Sequence, residues 1–186
     1  MDTEQFLDLQ GTPANQQLST LLTRFEQLKI NDTIVLHNPD PALQDALHTE
    51  LAGAYRWQEQ QDGIHVTKTA STSLPRIVGN AAVTAESGGS AWKLEPAQRG
   101  LDANIIVLAP DDEIESHTGP TLDVVIVVLS GSGILETEAE TIMLNEDTIV
   151  WLPKLSQRRF VAGPNGLRYF SVHTRKQGLS ITSRPE

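Results

Sequence analysis

The chain has no cysteine among its 186 residues. That absence excludes disulfides, thiolate metal sites, iron–sulfur clusters and every thiol-nucleophile mechanism. Basic residues are scarce: 14 Lys and Arg stand against 24 Asp and Glu, a net charge of -10. Nucleic acid draws its affinity from cations that neutralise phosphates, so it is not an expected partner, and an anionic membrane surface is excluded on the same ground. Uninterrupted apolar stretches of membrane-spanning length are also missing. The acidic start, MDTEQFLDLQ, has neither the basic nor the apolar region of a signal peptide, so the cytoplasm is the expected location. What remains is a globular composition, 39% hydrophobic and 20% charged, with enough length for one large or two small domains.

The charge is unevenly spread. No Lys or Arg occurs between Arg99 and Lys154, a stretch that carries Asp111, Asp112, Glu113, Glu115, Asp123, Glu136, Glu138 and Glu140 among its acids. From Lys154 to Arg184 the charged residues are all basic. Two readings stay open, solvated faces that offset each other or a pocket for an anion.

Element types alternate on a short rhythm at first. Phe6, Leu7 and Leu9 read as a brief strand ending at Gly11, and Leu18, Leu21, Leu22, Phe25 and Leu28 follow a helical period behind Pro13. Thr33 to Leu36 is a buried strand by composition, and Leu43, Leu47 and Leu51 mark one face of a second helix closed by Gly53. A hairpin turns at Asp62-Gly63. The order β-α-β-α-β-β over residues 1–69 predicts a two-layer α+β sandwich. Residues 70–89, rich in Ala, Ser, Thr and Gly, read as a linker. Over residues 90–186 helical periodicity gives way to short apolar runs between turns, at Ile105–Leu108, Val124–Leu129, Thr141–Leu144, Thr148–Leu152, Arg159–Ala162 and Leu167–His173, which predict an all-β barrel or sandwich. Gly131-Ser132-Gly133 has no helix after it and reads as a hairpin turn, and the acids at 111–115 as a solvated turn.

On HTGPTLDVVIVVLSGSG (His117 to Gly133) and NEDTIVWLPKLSQRRFVAGPNG (Asn145 to Gly166), the C-terminal part resembles the cupin family. The resemblance implies a jelly-roll barrel whose metal-ligand positions fall here on His117, Gly119, Val124 and Arg158, so that one ligand of the usual set is kept. Asp123 lies one residue from the expected acid, and a bulge at Pro120 would turn it inward. On LDLQGTP (Leu7 to Pro13) and IVLHNPDPALQDAL (Ile34 to Leu47), the N-terminal part resembles domains related to the TusA/SirA sulfur carriers. The cysteine those carriers use is missing, which removes persulfide relay.

In the register the cupin resemblance implies, a lumen would be lined by His117, Asp123, Arg158 and His173, with Trp151, Phe160 and Tyr169 as wall. The alternatives are bland: the aromatics as core, His117 as a satisfied strand-end residue, Arg158 paired with Asp123 or another acid. The expected function is non-metal binding or sensing of a small molecule, an anion among the candidates, in a homodimer with no catalytic residues and no cofactor. Two rivals stay open, a protein-interaction or regulatory module, and a metal-dependent dioxygenase- or isomerase-like enzyme with a divalent metal on His117, Asp123 and His173.

Overall fold

The computed structural model describes residues 3–83, 88–97 and 99–175. It divides into two compact units, Met1–Ile77 with Glu95–Gln98, and Val78–Leu94 with Arg99–Glu186. Among the described residues no helix is long and apolar enough to cross a membrane. Lys176 and Arg184, the end of the basic run, lie outside the described residues.

In the first unit the elements run β1 (Glu4–Asp8), α1 (Ala14–Gln27), β2 (Thr33–His37), α2 (Leu43–Leu51), β3 (Tyr55–Gln60) and β4 (Gly63–Lys68). The strand order is β1-β2-β4-β3, with β1 parallel to β2 and the other pairs antiparallel. The helical spacing of Leu21, Leu22 and Phe25 puts one stripe of α1 against Ile34, Leu36 and Val66 of the sheet and Leu43 and Leu47 of α2, in one buried cluster. Polar groups inside this unit are satisfied locally. The Lys68 ammonium is buried and donates to the carbonyls of Phe25 and Leu28 at 3.0 and 2.8 Å, meeting the negative end of α1. Pro13 offers α1 no side-chain cap, but Gln17 donates to the Thr12 carbonyl at 3.0 Å and accepts from the Asp40 amide at 2.8 Å.

Asp32 accepts backbone N–H bonds from Thr3 and Lys29, each at 2.9 Å, and these hold its carboxyl below the usual range. A depressed folded value contributes stability above the unfolded pKa of about 3.9, lost as pH falls through the folded value. Thermal melts from pH 3 to 7 should therefore show Asp32→Asn less stable than the native protein at pH 7, with the gap narrowing below about pH 4. A gap independent of pH would contradict this assignment.

Among the described residues the second unit is all strand: β5 (Gly89–Lys93), β6 (Leu101–Leu108), β7 (Glu113–Thr118), β8 (Val124–Glu136), β9 (Thr141–Asn145), β10 (Ile149–Leu152) and β11 (Gln157–Thr174). Three differences from the sequence reading matter. The acids Glu113 and Glu115 belong to strand β7 rather than to a turn. The two runs at 159–162 and 167–173 are one strand, and Gly131-Ser132-Gly133 lies within β8 instead of turning a hairpin.

The glycines explain both merged strands. A Cβ on Gly131 would sit 2.2 Å from the Gly166 carbonyl oxygen, and one on Gly133 2.4 Å from that of Val161. Without side chains β8 lets β11 pass at this distance, and the register shifts there, between Ala162 and Leu167. On one side of the irregularity the ladder is β9-β8-β11-β7; on the other it is β10-β8-β11-β6-β5. Strands that bend at bulges and serve two ladders make the corners of a sandwich. Both wings supply one core: Leu135, Leu144 and Phe160 from the first, Ile126, Val128, Leu152 and Tyr169 from the second.

Candidate functional site

Inward alternation along β11 selects the central residue. Arg158, Phe160 and Ala162 are buried, while Arg159 and Val161 between them are half-buried. The outward Arg159 donates to Glu136 at 2.9 Å and also bonds Glu113, so part of the basic run is offset by the acidic one. Arg158 has no such partner. It is 4% exposed, and its Nε and Nη2 are buried without a hydrogen bond. Burial pulls its pKa below the ordinary arginine value. Phe160 stacks on Tyr169, ring centres 5.4 Å apart, and burial pushes the Tyr169 phenol up to about 12.

Arg158 lines a cavity of about 270 Å3 at the start of β11. Its protected end is formed by Leu135, Val150, Leu152 and Arg158, all buried, and its mouth by exposed Glu138, Ala139 and Trp151. A larger cavity, about 460 Å3, lies beside Arg168. There the guanidinium is already engaged, Nε donating to the Ser130 hydroxyl at 3.1 Å and Nη1 to the Val83 carbonyl at 3.2 Å. Chemistry favours the smaller cavity, because there the buried cation is unpartnered.

The other expected lumen residues are placed elsewhere. His117 is exposed on β7, opposite Arg158 in the ladder, and its Nδ1 donates to the Glu115 carbonyl at 2.8 Å. Asp123 is exposed and accepts from the Lys154 amide at 2.8 Å, so the ion pair expected with Arg158 is not formed. Trp151 is 62% exposed because it alternates with the inward Val150 and Leu152, and it borders the cavity mouth. His173 is half-buried near the far end of β11, with Nδ1 donating to the Thr174 carbonyl. Arg158, Phe160 and Tyr169 are thus brought together; His117, Asp123 and His173 are not.

Among the described residues no three His, Asp or Glu form a group able to hold a metal ion. The cupin-type metal positions do not fit one here for a steric reason as well. A Cβ on Gly119 would lie 1.4 Å from Nη2 of Arg158 and 2.3 Å from its Cζ. The guanidinium takes the room that a ligand side chain at 119 would need, and a permanent cation repels a metal. Sequence reasoning named Arg158 and Gly119 separately; that one fills the other's space is a property of the folded ladder. It also missed Leu135, Val150 and Leu152 as cavity wall, since alternation on short strands does not tell core from cavity.

No family model and no curated protein matches the chain. Solved structures to which it is similar include a Bacillus halodurans protein, 15% identical over 42% of this chain and 65% of that one, with a TM-score of 0.39. A cupin-2 domain containing protein from Shewanella frigidimarina is 14% identical over 50% of this chain and 83% of that one, TM-score 0.40. A Cupin 2 conserved barrel domain protein from Salinispora arenicola is 17% identical over 54% of this chain and 87% of that one, TM-score 0.42. The chain spans less than two thirds of the Bacillus halodurans protein.

Proposed function

We propose that the second unit is a cupin-type barrel that binds a small organic anion at Arg158 and uses no metal. The observation that carries this is Arg158, a residue 4% exposed that lines a largely apolar cavity and has two guanidinium nitrogens unpartnered. Burying an unpaired charge costs several kcal/mol. A carboxylate or phosphate entering the cavity would supply the missing charge, and where Nε and Nη2 turn toward it from their place beside Gly119 it would supply acceptors too, through charge-assisted bonds of about 1.5–3 kcal/mol each. In this reading the acidic run outside repels anions at large, and recognition is confined to one sheltered cation.

The accompanying proposals are modest. The first unit is a sulfur-carrier-like α+β sandwich that lacks the carrier's thiol, and the protein is a cytoplasmic homodimer that binds rather than catalyses.

A ligand that binds only the folded state raises its melting temperature. Acetate, benzoate, phosphate and sulfate, compared at constant ionic strength, should include at least one anion that raises the melting temperature of the native protein and not that of Arg158→Met. Equal shifts in both proteins, or no shift with any anion, would overturn the proposal.

A further inference from the structure

Resting on the anion-binding reading, we infer that the ligand is a small monocarboxylate with an apolar body, rather than a phosphate ester or a dicarboxylate. Three features of the cavity point there. Among the described residues that line it, Arg158 is the one cation, while Glu138 stands at the mouth and Glu140 follows on the same turn. One guanidinium balances one negative charge. A second charge would face Glu138 with no counterion, a like-charge contact in a partly desolvated site.

The wall gives the second feature. Leu135, Ile142, Val150 and Leu152 carry no polar side-chain group, so the part of the ligand that meets them gains only from being apolar. Apart from the Trp151 indole, Thr137, Ser156 and Gln157 are the neutral polar side chains present, and all three are already engaged, the Thr137 hydroxyl donating to the Glu140 carbonyl at 2.8 Å. The Ser156 hydroxyl donates to the Pro153 carbonyl at 2.8 Å, and Gln157 donates to the Thr118 hydroxyl at 2.6 Å. A polyhydroxylated body would therefore leave many of its groups unpaired.

Size is the third. At about 270 Å3 the cavity lies just below the usual range of small-molecule sites, about 300–1,000 Å3. That suits the ring of an aryl-carboxylate or the chain of a branched alkyl-carboxylate.

Titration calorimetry with phenylacetate, acetate, phenylacetamide and phenyl phosphate at pH 7.5 tests the class. Phenylacetate should bind saturably, with a Kd below about 1 mM. It should bind at least about tenfold tighter than acetate, which lacks the body, than phenylacetamide, which lacks the charge, and than phenyl phosphate, which carries close to two charges at this pH. Binding should vanish in Arg158→Met, with a thermal melt showing that variant folded. Phenyl phosphate binding as tightly as phenylacetate, with Arg158 required for both, would overturn the carboxylate inference and leave the anion site standing. Acetate binding as tightly as phenylacetate would overturn the apolar body alone. If none of the four binds in an Arg158-dependent way, both the inference and the reading beneath it fall.

Discussion

Arg158→Met should make the second unit more stable while removing its anion response. Arg158 is 4% exposed, and its guanidinium, with Nε and Nη2 unpartnered, is held in the fold against its desolvation cost. Replacing buried ionic groups by apolar ones of similar volume is often neutral or stabilising by 1–4 kcal/mol. Methionine keeps most of the arginine stem's packing against the core and discards the charge. The room beside Gly119 that the guanidinium now fills would be left open, a loss that offsets part of the gain. We therefore expect a net gain of about 1–2 kcal/mol, which is several degrees in melting temperature for a unit of this size. Stability and activity moving in opposite directions at one residue is the signature of a site kept for function. A loss of 2 kcal/mol or more would mean that Arg158 serves the fold, and the functional argument would lose its basis.

Gly131→Ala should have the largest effect of the opposite sign. Gly131 has φ +78°, which a residue with a Cβ adopts at a cost of about 1–2 kcal/mol. The added carbon would also lie 2.2 Å from the Gly166 oxygen and 2.9 Å from its carbonyl carbon, backbone atoms that cannot rotate away. Overpacking adds about 1–3 kcal/mol, so the total is about 2–5 kcal/mol. The consequence reaches the site, because this crossing sets how β8 and β11 carry Leu135 and Arg158 between the two wings. Gly100→Ala is the control, since a Cβ there meets nothing within 4 Å and its φ lies outside the left-handed region. Urea unfolding should show a lowered midpoint for Gly131→Ala and a near-native one for Gly100→Ala. Equal midpoints would show that the crossing has slack.

These two residues also mark how far the sequence could be read. Helix α1 was legible because Leu18, Leu21, Leu22 and Phe25 recur at helical spacing and have one neighbouring sheet to cover. The strands of the second unit were legible as apolar runs, but their joining was not. Gly163-Pro164-Asn165-Gly166 carries every local mark of a turn, yet it is the irregularity inside a single 18-residue strand. Likewise Gly131 and Gly133 read as a hairpin because glycine signals freedom of backbone, while here it also serves close approach, which depends on a partner strand thirty residues away. Arg158 stood out by charge and register, whereas its lack of a partner follows from where Asp123 points. The Lys154 amide captures that carboxylate on the outer surface, and no spacing rule carries that information.

The most direct measurement is the Nε–Hε resonance of Arg158 in the 15N spectrum, assigned by its disappearance in Arg158→Met and followed during titration with phenylacetate. This atom is buried and unpartnered in the free protein. The account predicts a saturable shift at this resonance that fits the same Kd as calorimetry, with the Arg159 and Arg168 signals, already bonded to Glu136 and Ser130, moving little. A stationary Arg158 signal alongside calorimetric binding would place the anion elsewhere and contradict the central claim.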